Sequence, residues 1–383
     1  MLLLLNRIVT GGIFLSSISR SRLEGLDVLR GFAAISIILF HVLFVCGFAD
    51  KTSLTPIVAK LDIGVRFFYA LSAFSLLYGY NKKIQMEDGL KKFYIGRFFR
   101  IAPLFYLCIS FYLIAMPLWY DTKIEVADLL ANLTFSFGLI PGKHESIVWA
   151  GWSIGVEWIF YFLFPLFVVL GRTIKSTLIL LIISILIFYQ FDILGLELQK
   201  ISNAAYELNF LHQLMFFAAG LLSFKLYELI DFNKKIFRIS FPIIIIPSLY
   251  LYFFTNLVVN PLADVLIAFI FIIIILYFAT FPPKLLTNRL FITLGLCSFG
   301  LYLLHFIVII FFLKTDILNK LNLLPQHGSS AFLTYFAFVF LMTFVLSYIS
   351  YKFYEYPIMK LGKKIANQQP TLKEVQKEIK VQA

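Results

Sequence analysis

The chain has 383 residues, of which 61% are hydrophobic and only 14% are charged, and its formal net charge is +12. In soluble globular proteins about a quarter of all residues are charged, so this composition excludes a soluble fold. Membrane-spanning β-barrels are excluded as well, because they need polar and apolar residues in alternation. The continuous apolar runs at residues 239–254 and 266–278 instead predict an all-α integral membrane protein.

About ten transmembrane helices are expected, since a helix crosses a bilayer with about 20 apolar residues. Together they form a transmembrane domain over residues 21–360, followed by a cytoplasmic tail at 361–383. The apolar segment 1–20 has two interpretations, a signal-like or interfacial segment or a start codon placed too early. The predicted spans cover residues 28–48, 63–80, 98–118, 150–170, 174–192, 208–228, 236–255, 262–281, 291–313 and 331–354.

The positions of lysine and arginine predict the orientation, because cytoplasmic loops are enriched in both. With the N-terminus inside, about 25 of the 33 basic residues fall in cytoplasmic segments. Segment 81–100 would be cytoplasmic. Segment 119–148, whose charged residues are mostly acidic, would lie outside. Both termini are therefore expected in the cytoplasm. This distribution makes the lipid bilayer the expected partner of the basic residues, and no nucleic acid is expected to bind.

The first predicted span carries an arginine and a histidine on one helical face. Arg30 and His41 are eleven residues apart, which is about three turns and about 16 Å along a helix axis. Asp27 lies on the same stripe. Ionisable side chains within a membrane are costly and usually face a partner or a cavity. His41 is therefore either a functional imidazole or a histidine satisfied by packing and hydrogen bonding.

Charged residues also occur in the third and fourth spans. Arg97 and Arg100 lie on neighbouring positions of one helical face. Guanidinium groups suit phosphate oxygens, and the alternative is simple anchoring at the cytoplasmic surface. Glu157 has no basic residue nearby in sequence, so it either orients a reacting group or pairs with another helix. The three cysteines fall in separate apolar runs, which argues against a disulfide framework, a redox pair or a metal site.

In this order, the segments resemble the membrane acyltransferase-3 family of bacterial O-acyltransferases, over residues 22–357. Arg30 and His41 match the family's Arg-x10-His motif, and the third span matches its Arg-x-x-Arg motif. The second span departs from the family pattern at Arg66 and Ala73, which bears on substrate shape rather than reaction type. The resemblance is to the form without a fused esterase-like domain. The other matching elements are Pro103, Tyr106, Trp152, Ser153, Glu157, Ser298–His305 and Glu355–Pro357.

The resemblance implies acetyl-CoA, or a related acyl-CoA, as cytoplasmic donor. The acceptor would be a hydroxyl of a surface polysaccharide, lipopolysaccharide or lipid-linked glycan, and the location the bacterial cytoplasmic membrane. His41 would be the general base, oriented by Glu157 or Asp27, and an acyl-His41 intermediate is the alternative route. The donor would be bound by Arg30, Arg97, Arg100 and Tyr106, and the substrate by Ser72, Trp152, Ser153, Tyr302 and His305.

A transporter is the rival class. A carrier that moves an acyl group or a glycolipid without chemistry would also place histidine, glutamate and arginine within the membrane. Such carriers commonly contain internal repeats with interrupted helices at matching positions, and the sequence shows no such repeat. Acceptor-dependent consumption of acetyl-CoA separates the two classes.

Overall fold

The computed structural model describes residues 22–198, 207–231, 235–255, 261–325 and 328–368. Within these ranges the chain is helical and contains no strand, so the all-α prediction is confirmed. The predicted segment 1–20 and most of the predicted tail lie outside the described residues. The long helices are α1 (Glu24–Val45), α2 (Ile63–Tyr80), α3 (Gly89–Tyr120), α4 (Trp152–Leu170), α5 (Ile174–Leu198), α6 (Phe210–Leu229), α7 (Lys235–Phe254), α8 (Leu262–Thr280), α9 (Ser298–Thr315) and α10 (Gly328–Ser350).

Each of the ten predicted spans overlaps one of these helices. In the described part of the chain, nine helices are long and apolar enough to cross a membrane, which makes this a multi-pass membrane protein. Helix α2 is not among the nine, because Arg66 and its serine and tyrosine residues lower its mean hydropathy. The count of ten and the cytoplasmic location of both termini stay predictions.

The predicted ninth span is divided into two helices rather than one. A short helix, Arg289–Leu296, is separated from the start of α9 by the single residue Cys297. The short helix packs closely on the start of α1, where a β-carbon at Gly295 would lie 1.9 Å from the carbonyl oxygen of Asp27. Glycine permits this approach of two helix backbones. As a result, α9 starts beside the part of α1 that carries Arg30.

Helix α6 is the most enclosed long helix in the described ranges, and it packs on α2, α5 and α8. A β-carbon at Gly220 would lie 2.1 Å from the carbonyl oxygen of Ala70, so α6 and α2 are in backbone contact. Helix α7, in contrast, is mostly exposed and apolar, which suits a surface that faces lipid. The arrangement keeps α1, α2 and α9 together around the polar interior.

The last helix changes geometry at its end. Helix α10 continues through the π-helical segment Tyr351–Glu355 into the helix Tyr356–Ala366. The π-helical segment brings Glu355 into the protein interior, where the residue is 3% exposed. The helix Tyr356–Ala366 packs on α3, and a β-carbon at Gly362 would meet the side chain of Phe99. The end of the described chain therefore lies beside the two arginines of α3.

The orientation can be tested by labelling single cysteines in a variant without Cys46, Cys108 and Cys297. Lys123 and Lys82 are both exposed, so a cysteine at either position is accessible to an impermeant thiol reagent. We expect Lys123→Cys to react in intact cells and Lys82→Cys to react only after lysis, because lysines and arginines are concentrated near Lys82. The reverse labelling pattern would contradict the predicted orientation.

Candidate active site

A cavity of about 780 Å³ lies between α1, α2, α3, α4, α9 and the helix Tyr356–Ala366. Its volume is in the range of small-molecule and cofactor sites. Serine and tyrosine hydroxyls line one part of the cavity, and a dense set of cations lines the other. The basic residues of the lining are Arg22, Arg30, Lys83, Lys92, Arg97, Arg100 and Lys363.

Asp27 lies between two of these arginines. Its carboxylate accepts a hydrogen bond from Nε of Arg22 at 2.6 Å and one from Arg30 at 2.9 Å. Arg30 also donates to the hydroxyl of Ser75 at 2.5 Å. Asp27 is 4% exposed, so it holds Arg30 in place as a buried partner. The structure joins Asp27 to the arginines and not to His41, whose predicted orientation by Asp27 stays a prediction without a supporting contact.

Arg97 has aromatic side chains as neighbours for its charge, and one of its terminal nitrogens donates a hydrogen bond to the hydroxyl of Tyr80 at 3.5 Å. It lies against the rings of Tyr80 and Tyr161, with its guanidinium carbon 5.5 Å and 5.7 Å from the two centroids. Among the residues that the structure describes, none forms a salt bridge with Arg97, and its Nε atom has no hydrogen-bond partner. A buried guanidinium usually has an acceptor. The orphaned donor therefore fits a bound phosphate.

Arg100 has a partner within the protein. Its guanidinium is 3.5 Å from a carboxylate oxygen of Glu355, and its charged group lies 5.4 Å from the ring centroid of Phe299. The same carboxylate group accepts a hydrogen bond from Ser350 at 3.1 Å. The ion pair fixes the position of Arg100 at the cavity wall, while leaving part of its planar donor group for a ligand.

Glu157 receives its hydrogen bonds from two hydroxyl groups. Ser72 on α2 donates to Oε1 at 2.7 Å, and Tyr161, one turn later on α4, donates to the same oxygen. Ser72 comes from another helix, as the sequence interpretation expected of a partner of Glu157, whereas Tyr161 lies on the same helix. Both donors line the cavity together with Glu157. No contact joins Glu157 to His41 in the described part of the chain, and its orienting role stays a prediction.

A hydroxyl pair marks the deeper part of the cavity. The oxygens of Ser153 and Tyr302 are 2.6 Å apart, and Tyr302 donates to the carbonyl oxygen of Ala150 at 2.5 Å. This contact joins α9 to the turn that precedes α4. Ser153 and Tyr302 are each 5% exposed and line the cavity. Both were predicted as substrate-binding residues, and the cavity brings them together with Ser72.

His41 and His305 form a hydrogen-bonded pair next to this cavity. Nδ1 of His41 is 3.0 Å from Nε2 of His305, and Nδ1 of His305 is 2.6 Å from the carbonyl oxygen of Tyr302. Neither histidine belongs to the described residues that line the cavity. Tyr302 connects the two features, because its side chain lines the cavity and its backbone holds His305. A chain of polar contacts therefore runs from the cavity to His41.

Two predicted site residues lie elsewhere. Tyr106 donates to the carbonyl oxygen of Leu133 at 2.6 Å and does not belong to the described lining of the cavity. Trp152 lies at the start of α4, packed against the apolar core, and is likewise absent from that lining. Arg66, which departs from the family pattern, forms an ion pair with Asp264 on α8. This pairing compensates the charge within the membrane.

The sequence did not single out Ser75, Tyr80 or Tyr161, which hold or flank the arginines and Glu157. Ser75 follows Ser72 by three residues and Tyr161 follows Glu157 by four, so helical spacing places each beside a predicted residue. Their hydroxyl groups could have been found from that spacing. The described residues contain no group of three or more histidine, cysteine, aspartate or glutamate side chains that could hold a metal ion.

The comparison with protein families decides the class of the protein. The family model of the acyltransferase-3 acyltransferase domain matches residues 23–352, which covers α1 to the end of α10. The chain belongs to the acyltransferase-3 family. The resemblance recognised in the sequence is thereby confirmed, and the protein is a membrane acyltransferase.

The chain is also similar to a curated viral protein, which is named "Putative acetyltransferase ORF330" and comes from Acidianus two-tailed virus. The two sequences are 25% identical over 291 residues, which cover 73% of this chain and 81% of the viral protein. No solved structure matches the chain. For this acyltransferase-3 protein, the cavity and the adjoining histidine pair form the candidate active site.

Proposed function

We propose that this acyltransferase moves an acyl group, and in the simplest case an acetyl group, from cytoplasmic acyl-CoA to a hydroxyl of a surface or lipid-linked glycan. The observation that carries the proposal is that the same cavity has arginines and lysines at one end and hydroxyl groups at the other. The hydroxyl-lined end lies beside the pair of histidines. Coenzyme A is polyanionic at its nucleotide end and uncharged along its pantetheine arm. The two ends of the cavity match these two ends of the donor.

The cationic end supports binding of the phosphate groups. Arg97 supplies an unpaired guanidinium nitrogen, and Arg30 is held by Asp27 and Ser75. Guanidinium groups bind phosphate oxygens in pairs of parallel hydrogen bonds. Lys83 and Lys92, beside the α2–α3 connection, add charge that attracts the donor. The pantetheine arm would then extend toward Ser153 and Tyr302, and the thioester would approach the histidine pair.

The acceptor would approach His41 from the opposite side. The ring of Phe306 is 4.5 Å from that of His41, and Trp149 is 5.5 Å from Phe306. Tyr120 extends this aromatic series, with its ring 5.4 Å from that of Trp149. Tyr120 belongs to the segment predicted to lie outside, and Trp149 directly follows it in sequence. Flat aromatic faces suit the apolar faces of sugar rings, which supports a glycan as the acceptor.

In the proposed reaction, His41 removes the proton of the acceptor hydroxyl while that oxygen attacks the thioester carbonyl. A carbon–oxygen bond forms, and the carbon–sulfur bond of the thioester breaks. The leaving thiolate takes a proton from the imidazolium of His41, so the enzyme returns to its starting state. The products are the O-acylated glycan and free coenzyme A. In the alternative route, His41 itself carries the acyl group between the two substrates.

The protein in lipid nanodiscs tests this proposal with acetyl-CoA labelled in the acetyl group. Candidate glycan acceptors are added, and both label on the acceptor and free coenzyme A thiol are measured. We expect equal amounts of the two products, which require the acceptor and are missing in the matched variant His41→Asn. Transport without chemistry would release no thiol. Butyryl-CoA and palmitoyl-CoA in parallel reactions determine the preferred acyl length.

A further inference from the structure

The histidine pair has a defined direction of hydrogen bonding. A carbonyl oxygen only accepts, so the 2.6 Å contact with Tyr302 requires that Nδ1 of His305 carries the proton. In neutral His305, Nε2 is then an acceptor. The 3.0 Å contact with His41 therefore requires a proton on Nδ1 of His41. With its proton on Nδ1, neutral His41 has an unprotonated Nε2 that carries a lone pair.

We propose that His305 is a positioning residue that holds His41 in the Nδ1–H tautomer, with Nε2 as the basic nitrogen. The tautomer of His41 follows from the hydrogen bonds alone, whereas its effect on catalysis rests on the proposed function. A histidine with the proton on Nε2 would present a donor to the acceptor hydroxyl and could not remove its proton. The hydrogen bond to His305 selects the reactive tautomer and fixes the orientation of the ring.

The carbonyl oxygen of Ile37, one turn earlier on α1, also lies near the imidazole of His41, but it already accepts the helical hydrogen bond from the backbone N–H of His41. The neighbouring rings of Phe40 and Phe306 lie 5.2 Å and 4.5 Å away, and neither offers a hydrogen-bond acceptor of comparable strength. The two carboxylates that were predicted to orient His41 are bonded elsewhere, Asp27 to arginines and Glu157 to hydroxyls. His305 is 0% exposed, so water does not compete for its Nε2 atom.

A neutral orienting group has a chemical consequence. An aspartate in this place would stabilise the imidazolium of His41 by charge, whereas an imidazole provides a hydrogen bond without a formal charge. The protonated His41 therefore remains a good acid. It can return its proton to the leaving thiolate, which is a weaker base than an alkoxide. The pair thus suits thioester cleavage, in which base and acid steps follow each other on one nitrogen.

Two variants of His305 separate positioning from packing. His305→Gln keeps an amide oxygen that can accept from Nδ1–H of His41, and His305→Leu keeps apolar volume but removes the acceptor. We expect kcat to fall about 10²–10⁴-fold in His305→Leu, as for loss of a general base, and less than about tenfold in His305→Gln. The KM for acyl-CoA should stay unchanged, since His305 is not part of the described cavity lining.

The tautomer is measured directly by ¹⁵N NMR of histidine-labelled protein in nanodiscs, at a pH above the titration of its histidines. The five histidines are few enough to assign, and the His41 signals are those missing in His41→Asn. We expect protonated Nδ1 and unprotonated Nε2 in the native protein and in His305→Gln, and protonated Nε2 in His305→Leu. Thermal unfolding of both variants shows whether they are folded.

Protonated Nε2 in the native protein would overturn the proposal, as would an unchanged tautomer in folded His305→Leu. Equal losses of kcat in folded His305→Gln and His305→Leu would also contradict it. The NMR measurement needs no substrate. If the tautomers are as expected while no acyl-CoA is consumed with any acceptor, the positioning is correct and the proposed function is wrong.

Discussion

The variant His41→Ala is expected to lose acyl transfer while it still inserts into the membrane and accumulates. Loss of a general base typically lowers the rate by about 10²–10⁴-fold. In the proposed tautomer, His41 is the member of the histidine pair whose Nε2 atom is the base, and it lies about 16 Å along α1 from Arg30. Transfer of labelled acetyl from acetyl-CoA to the acceptor measures the loss, and fluorescence-detected gel filtration measures accumulation.

The matched variants distinguish chemistry from packing. His41→Asn retains an amide donor for His305 and has no basic nitrogen, so it should be as inactive as His41→Ala. His144 belongs to the segment between α3 and α4, and His144→Asn makes the same chemical change away from the histidine pair. That variant should keep nearly native activity. Native-like transfer in His41→Ala would leave His41 as a packing residue and remove the proposed mechanism.

The second large effect is expected at Arg97. Lysine keeps the charge but loses the planar pair of donors, and one hydrogen bond to a charged group contributes about 1.5–3 kcal/mol. The KM for acyl-CoA should therefore rise about 10- to 100-fold in Arg97→Lys, while the KM for the acceptor stays within about twofold. Initial rates measured over a grid of both substrate concentrations separate the two constants.

A smaller rise in donor KM is expected for Arg100→Lys, because Glu355 already holds one side of that guanidinium. Arg172 is exposed in the turn between α4 and α5, and Arg172→Lys serves as the control that changes neither constant. If Arg97→Lys instead raised the KM for the acceptor and left the KM for acyl-CoA unchanged, Arg97 would belong to the acceptor site. The proposal that the donor binds at the cationic end would then be wrong.

The parts of the site that lie on one helix could be predicted from the sequence. The spacing of Arg30 and His41 fixes their common face, because a helix has 3.6 residues per turn. The same geometry relates Arg97 to Arg100. It also allows the Asp27–Arg30 ion pair, since these residues are three apart, although the sequence interpretation named Asp27 only as one of two residues that could orient His41. The structure shows the ion pair between Asp27 and Arg30, and the orienting role of Asp27 toward His41 stays a prediction.

Contacts between helices could not be predicted in the same way. His41 meets His305 across 264 positions of sequence, and Glu157 meets Ser72 across 85. Such pairs depend on how closely the helix backbones approach, which small residues such as Gly295 and Gly220 determine. The motif that contains His305 was recognised, but its partner was not. The predicted ninth span is also divided at Cys297 into two helices, which its apolar composition does not indicate.

The π-helical segment Tyr351–Glu355 makes the end of the chain sensitive to its length as well as to the identity of Glu355, which pairs with Arg100. A π-turn holds one residue more than an α-turn, and each residue rotates a helix by about 100°. Losing one residue there would turn the helix Tyr356–Ala366 by that angle relative to α10. Tyr356, Met359 and Lys363 would then leave the cavity wall together. Related sequences can accordingly vary at the exposed positions 352 and 353, whereas a single-residue gap in the segment should be rare among active enzymes.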